Sequence, residues 1–476
     1  MSEEKKIYER NESFRDSIAT VDASGKRNWI FAKKPSGDFY KWRTYLSWIY
    51  LAVFFLAPWI KVGGEPLLML NVLERKFVIF GQIFWPQDFH LFALLFITSV
   101  VFIILFTVVY GRIFCGWICP QTIFMEMVFR KIEYWIEGDA PKQKKLDKQK
   151  WNFEKIKKRG LKYIVFYLVS VTIAHTFLAY FIGSDELLRL QIEEPLANIG
   201  TLGSLLIFSA VFYFVFAYMR EQVCIAVCPY GRLQGVLLDR DSIVVAYDYV
   251  RGETRAPFKG KREVRSDVSK GDCIDCHKCV DVCPTGIDIR NGTQLECVNC
   301  TACIDACDSI MDKLGFERGL IRYASEEQIA NKTKFKFTTR VKAYTVVLSL
   351  LMVFLSTLFF LRTDVETSIL RTKGPLYQIV DDTHISNLYN VKVVNKTNNP
   401  IELDLKLLNA TGEINIVGNK ALTIGSQEKH EGALFIVLPN SEIDGMATEL
   451  EIGIYQNTEL LETVKTNFLG PANIKK

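Results

Sequence analysis

The stretch from Cys273 to Cys307 constrains this chain more than any other. Cys273, Cys276, Cys279 and Cys283 are separated by three, three and four residues, and Cys297, Cys300, Cys303 and Cys307 repeat that spacing. Each run is the bacterial pattern for a 4Fe–4S cubane, in which three closely spaced thiolates wrap three corners. In two-cluster arrangements the fourth cysteine of each run crosses to the other cluster. The spacing therefore assigns Cys273, Cys276, Cys279 and Cys307 to one cluster, and Cys297, Cys300, Cys303 and Cys283 to the other. Pro284 follows the first run, as the pattern asks; Asp308 stands in the corresponding place after the second, a departure that removes no ligand. Structural zinc would use two pairs of thiolates and leave the fourth cysteine of each run unexplained. Disulfides need an oxidising compartment, and the topology argues against one.

A chain of 476 residues has room for several domains. It is 49% hydrophobic yet 23% charged, which fits membrane spans alternating with soluble segments. The net charge of +5 is modest and makes no case for nucleic acid. Residues 1–41 are polar and lack the apolar core of a signal peptide. Apolar stretches follow at Trp42 to Ile60, Leu91 to Tyr110, Leu161 to Ile182, Leu202 to Met219 and Val341 to Leu361. Each is near the roughly 20 residues that cross a bilayer as a helix. Phe77 to Trp85 is apolar but too short, and is assigned to a loop.

Charge orients the spans. Lys142, Lys144, Lys145, Lys148, Lys150, Lys155, Lys157, Lys158 and Arg159 lie between the second and third. Asp185, Glu186, Glu193 and Glu194 lie between the third and fourth, opposed by Arg189. Lysine and arginine near span ends stay on the cytoplasmic side. The amino terminus and the cysteine-rich insert are then inside, and five spans put the carboxyl end outside. Every cysteine precedes Leu361, in keeping with a reducing compartment. The expected organisation is a cytoplasmic tail at 1–41 and four spans within 42–240. A cytoplasmic segment at 241–340 holds a ferredoxin core at 265–315. A fifth span occupies 341–361, and an exported domain 362–476.

In that last segment the hydrophobic period becomes two. N-V-K-V-V-N-K-T and I-E-L-D-L-K-L-L-N alternate apolar and polar residues, as half-buried strands do. Asn398-Asn399-Pro400 and Ala410-Thr411-Gly412 are turn signals between such runs. The series predicts an all-β sandwich of about 110 residues. It contains no catalytic cluster; His384 and His430 read as isolated exposed residues, and docking is the better role.

Four cysteines remain. Cys115 and Cys119 lie in C-G-W-I-C-P after the second span, and Cys224 and Cys228 in C-I-A-V-C-P after the fourth. Positions four apart share a helix face, and the proline ends or redirects the helix. Both motifs fall at the same depth, so the pairs can converge into a four-thiolate site at the inner membrane edge. Soft thiolates suit Cu(I) or an iron–sulfur centre. Cysteine also serves as a small apolar filler, but two matched motifs at equivalent places favour a metal or redox role. His175, within the third span, reads equally as a functional group or as a neutral histidine bonded to a neighbouring helix. Arg220 and Glu221, at a span end, read as solvated or snorkelling residues.

Several strings together resemble one family: G-R-I-F-C-G-W-I-C-P-Q-T, C-I-A-V-C-P-Y-G-R, A-Y-D-Y-V-R-G-E-T-R, the full stretch from Cys273 to Asp308, and G-L-I-R-Y. Nearly the whole chain is similar to the cytochrome c oxidase accessory proteins known as CcoG, FixG or RdxA. The ferredoxin pattern alone is widespread. The C-x-x-x-C-P motifs narrow it to membrane polyferredoxins, including the NapH and NosR types, and the β tail then favours the accessory proteins. The resemblance implies an α+β multidomain membrane protein. Its parts are a five-helix transmembrane bundle, an inserted two-cluster ferredoxin domain and a C-terminal all-β immunoglobulin-like domain. It implies a multi-pass protein of the bacterial inner membrane with its β domain in the periplasm. It also implies two 4Fe–4S clusters on the eight ferredoxin cysteines, with Cys115, Cys119, Cys224 and Cys228 as further metal ligands.

The function so implied is electron transfer of the cupric-reductase type, reducing Cu(II) to Cu(I) during assembly of cbb3-type cytochrome c oxidase. Expected partners are the lipid bilayer, copper ion, oxidase assembly factors or a copper chaperone or transporter, and a second copy in a homodimer. A quinol-linked conduit to an exported reductase, of the NapH or NosR kind, shares the clusters, but no exported C-x-x-C-H haem motif and no flavin domain accompanies them. A non-catalytic assembly scaffold is the third reading. Redox cycling of the clusters separates it from the other two.

Overall fold

The computed structural model describes residues 20–471 apart from 22–23, 63, 73–75, 85–88, 193–198, 259, 261–264, 266–268, 333–338, 362–364, 398, 419–421 and 427. Residues 1–19 of the expected tail, Trp85, Glu193, Glu194 and Asn398 lie outside the described residues. The chain forms two compact units. One takes in 1–60, 66–75 and 89–355, and the other 61–65, 76–88 and 356–476.

Among the described residues four helices are long and apolar enough to cross a membrane: His90–Tyr110, Phe153–Ile182, Ile199–Met219 and Val341–Phe359. The third expected span starts earlier than its apolar stretch. Asn152 caps the helix by accepting from Lys155 N at 2.8 Å. Lys158 then pairs with Glu154 one turn back, at 2.6 Å. These contacts carry the helix down through the basic segment, and Gly183, at φ 93°, ends it. The fourth span is α-helical over Ile199–Tyr213 and widens into a π turn over Phe214–Met219. It stops at Arg220, whose φ of 54° no helix continues through.

The first expected span differs. Its helix is Asp38–Leu56, and its first turns carry Asp38, Lys41 and Arg43, which keep it out of the apolar class. It still exposes Trp42, Tyr45, Trp48 and Ile49 while burying Arg43 and Ser47. Phe77 to Trp85 is not a loop. Lys76–Ile79 pairs with Gln82–Phe84 as a hairpin. Phe80 and Gly81 both take positive φ (53° and 75°) at its two-residue turn, the backbone that matches strand twist.

In the cysteine-rich region Val244–Tyr247 pairs antiparallel with Ile321–Ala324, so the A-Y-D-Y and L-I-R-Y strings meet as neighbours. Helix Lys278–Asp281 lies within the first cysteine run, and helix Ala302–Leu314 starts within the second and continues past Cys307. Val245, Ile289, Ile304, Met311, Leu320 and Ile321 are buried around them.

The second unit contains the sandwich. One sheet runs in the order Glu413–Ile416, Lys429–Pro439, His384–Asn395, Val365–Arg371; the other runs Leu422–Ile424, Ile401–Leu407, Ala447–Gln456, Glu459–Leu469. Alternate residues face inward, as the period of two requires. Val391, Val393, Leu434, Ile436, Ile452 and Ile454 form the fully buried layer between the sheets. Tyr389 lies among them and donates its hydroxyl to Asn467 O at 2.9 Å. His384 is half-tied to the surface through Asp381 and Thr383.

Candidate iron–sulfur and thiol centres

The two cysteine runs fold alike. In the first, Asp275 and His277 take left-handed backbone at φ 55° each; in the second, Asn299 and Thr301 do so at 52° and 65°. These are the residues two and four positions after the first cysteine of each run. Such backbone is uncommon outside glycine, and for β-branched threonine it is strained. Left-handed turns wrap the chain so that three successive thiols face one space. The space beside the first run is lined by Cys273, Cys276, Cys279 and Cys307, with Tyr247, Arg290 and Met311. The space beside the second is lined by Cys283, Cys297, Cys300 and Cys303, with Cys279 at its border. Four assigned thiols lining each of two cavities fit a pair of cubane clusters.

Their surroundings differ. Cys276 is exposed. Beside it Arg290 holds a collar of Asp275, Asp288 and His277, with its NH2 2.6 Å from Asp288 Oδ2 and 2.9 Å from His277 Nδ1. The second, inner cavity has no exposed cysteine: Cys283, Cys297, Cys300 and Cys303 are each part-buried. Burial pushes the thiols of Cys297 and Cys300 up, to about 12 and about 11. Thiols this basic release their protons only to a bound cation.

The C-x-x-x-C-P motifs also fold alike, but not as single helices. Cys115 sits in the short helix Ile113–Trp117, and Cys224 in the π turn Val223–Val227. Cys119 and Cys228 leave the helical region, with ψ of 125° and 112°, and each is the N-cap of a new helix begun by its proline. Each donates its backbone N–H five residues back, Cys119 to Phe114 O at 2.9 Å and Cys228 to Val223 O at 2.7 Å. Proline at the first helical position loses no hydrogen bond, so here it starts a helix instead of ending one.

The four thiols come together. Cys224 is pushed up to about 12, mainly by burial and in addition by the charges of Cys119, Cys115 and Cys228. Cys115, pushed up to about 11 mainly by burial, accepts from Gln234 Nε2 at 3.3 Å. Gly231 permits the approach: a Cβ there would lie 2.5 Å from Cys224 O and 3.7 Å from Cys228 Cβ. Among the described residues no three His, Cys, Asp or Glu side chains close on a single-ion position. The four thiols therefore share a neighbourhood without forming one ion's coordination sphere.

Comparison with known proteins agrees with this geometry. Residues 219–326 match the family profile of a 4Fe-4S dicluster domain, and residues 92–142 that of a 4Fe-4S binding domain. Residues 355–471 match the IG-like fold at the C-terminal of FixG. The chain is 34% identical to protein RdxB of Cereibacter sphaeroides, over 79% of this chain and 81% of that one. It belongs to the FixG/RdxA family. Protein RdxA of the same organism is 33% identical over 78% of this chain and 80% of its own length. The nitrogen fixation protein FixG of Rhizobium meliloti is 36% identical over 63% of this chain and 58% of its own. A FixG/RdxA-like iron–sulfur electron-transfer protein associated with the membrane is what these findings establish.

One further sequence reading needs correction. Arg220 and Glu221 are not solvated: both are buried. Arg220 grips Glu133, while Glu221 meets Arg27 at 2.9 Å and Arg130 at 3.9 Å. The His175 ring is parallel to that of Trp59, with centroids 6.2 Å apart and planes 4° apart. Sequence reasoning also passed over Arg43, Arg112 and Gln234. Their only signal was position, Arg112 standing three residues before Cys115 and Gln234 six after Cys228.

Proposed function

We propose that this FixG/RdxA-family protein reduces Cu(II) to Cu(I) for assembly of a cbb3-type cytochrome c oxidase. Two 4Fe–4S clusters would be its resident cofactors and the four membrane-edge thiols its copper-receiving site. Cys273, Cys276, Cys279 and Cys307 would hold one cluster; Cys283, Cys297, Cys300 and Cys303 would hold the other. When bound, the clusters supply single electrons over a range that hydrogen bonds and burial tune. Reduction of one Cu(II) consumes one electron and breaks no covalent bond, so carriers of single electrons match the step.

The residues divide the work. The exposed Cys276 corner opens one cavity to a soluble donor. Cys115, Cys119, Cys224 and Cys228 offer soft sulfur that prefers Cu(I) over Cu(II). Binding the product more tightly than the reactant assists the reduction. Because the thiols are spread, copper binding would draw them together, with any thiol protons released on coordination. Five spans, with α-helix Asp38–Leu56 as the first, put the thiols and clusters on the cytoplasmic side and the β domain in the periplasm, where it would dock assembly partners or a second copy.

The observation that carries this reading is the convergence of two C-x-x-x-C-P motifs beside a two-cavity ferredoxin fold. The test is to purify the protein anaerobically, reduce it, and add Cu(II). Stoichiometric reoxidation of the clusters, with Cu(I) trapped by a chelator, is expected. Clusters that stay reduced under excess Cu(II) would return the chain to the conduit or scaffold readings.

A further inference from the structure

Arg112 is a buried cation with an unusual set of partners. It is 4% exposed, and among the described residues no carboxylate lies in ion-pair distance of it. Its guanidinium spends its donors on three carbonyls instead. NH1 donates to Leu295 O, and to Cys297 O at 3.2 Å; NH2 donates to Gly231 O. Cys297 opens the second cysteine run, Leu295 lies two residues before it, and Gly231 follows the C-I-A-V-C-P motif. Arg112 itself precedes Cys115. One side chain thus ties both membrane motifs to the interior cavity.

A buried guanidinium without a counter-ion is costly, so its charge calls for an anion. The candidates are thiolates. Cys297 offers its own carbonyl to Arg112 NH1 at 3.2 Å, and Cys115 follows Arg112 by three residues. These two cysteines belong to different centres.

The backbones also touch. A Cβ on Gly116 would lie 2.6 Å from both Val298 O and Asn299 O, so only glycine lets the C-G-W turn lie against the loop between Cys297 and Cys300. Arg43 Nε holds the Gly116 carbonyl at 2.6 Å. Trp117 Nε1 donates to Tyr323 OH at 3.0 Å, and that hydroxyl reaches Asn299 O at 3.4 Å. Among the described residues the Cys276 side makes no such contact with either C-x-x-x-C-P motif, and Cys276 itself is exposed.

We infer that Arg112 and Gly116 form the junction between the interior cluster site and the four-thiol site, with Arg112 as the counter-charge shared by both. The interior cluster site is then the one that exchanges electrons with the membrane-edge thiols, and the Cys276 site is the entry. Arg112 and Gly116 are positioning residues; neither touches copper. This rests on the proposal that the eight ferredoxin cysteines hold two cubanes.

The roles of charge and contact separate by variant. A nearby positive charge favours the more negative, reduced form of a cluster. In the full-length protein, Arg112→Gln should lower the midpoint of one cubane and leave the other in place, read by potentiometric titration with electron paramagnetic resonance. Arg112→Lys, which keeps the charge and loses the fork, should restore most of that midpoint. Gly116→Ala keeps every charge but pushes the loop away. Both midpoints should hold, while reoxidation by Cu(II) slows about 10- to 100-fold, the range typical of lost second-layer support. Reduction by a soluble viologen should continue at the parental rate. Unchanged midpoints in Arg112→Gln with full iron content, or equal shifts in both, would overturn the shared counter-charge. A parental Cu(II) rate in Gly116→Ala would overturn the junction. If Arg112→Gln loses its iron, Arg112→Lys and Gly116→Ala decide. If the parent fails to reduce Cu(II), the copper proposal fails, and the midpoints still test Arg112.

Discussion

Arg220 and Glu133 form a two-pronged buried ion pair, NH1 to Oε1 at 3.0 Å and NH2 to Oε2 at 2.9 Å. Lys162 adds a contact to Glu133 at 3.6 Å and one to Glu137 at 3.0 Å. The pair joins the helix after the C-G-W-I-C-P motif to the break before C-I-A-V-C-P, so it braces the two motifs from outside the thiol cluster. Breaking such a pair by removing one partner leaves the other charge buried and alone. Glu133→Gln should therefore destabilise the protein by about 3–5 kcal/mol, measurable as a lowered thermal midpoint in detergent.

The same carboxylate gives a pH dependence. Burial alone would raise the Glu133 pKa, but Arg220, Lys162 and Arg130 outweigh it and hold the carboxyl below the usual carboxylate range. A depressed folded pKa contributes stability that is complete above the unfolded value and lost as pH falls through the folded one. Acidification below the ordinary glutamate range should thus destabilise the parent more than Glu133→Gln. Parallel acid profiles for the two proteins would contradict this.

Cys276→Ser should cost one cubane, so iron analysis should fall from about eight to about four per chain. The insert should also become easier to proteolyse, because a segment that short has little core of its own. Retention of all the iron would overturn Cys276 as a cluster ligand.

Cys119→Ser and Cys228→Ser should lower copper turnover while the cubane spectrum survives. The two residues take equivalent N-cap places, at ψ 125° and 112°, so their effects should be similar in size. Variants that reduce and retain copper as well as the parent would make these cysteines structural.

A reporter active only outside the cell should work when fused at the carboxyl end and be silent when fused near Lys145, because the basic loop there stays inside. Activity at both positions would mean that one of the three helices between them, Phe153–Ile182, Ile199–Met219 or Val341–Phe359, does not cross.

Ligand chemistry, period and charge are local properties, and all three were legible in the chain. The doubled cysteine spacing names its own cofactor, since a cubane wraps with a fixed short loop. Four spans appear close to where apolar length puts them, and the β tail follows its period of two. What stayed hidden depends on partners far away in sequence. The C-x-x-x-C-P motifs looked helical, because their local pattern is apolar; only the structure turns Cys119 and Cys228 out of the helix at a proline that begins the next one. Phe77 looked like loop because a short apolar run carries no length signal, yet a two-residue turn pairs it with Phe84. Arg220 and Glu221 looked solvated because charge at a span end normally is; their partners Glu133, Arg27 and Arg130 come from other segments. Arg112 is one arginine among many in sequence, and it becomes singular only when folding brings Leu295, Cys297 and Gly231 to it. Sequence determined which atoms can bind and which segments can span. Tertiary structure decided which buried charges meet, because a desolvated ion takes whichever counter-charge the packed chain brings within reach.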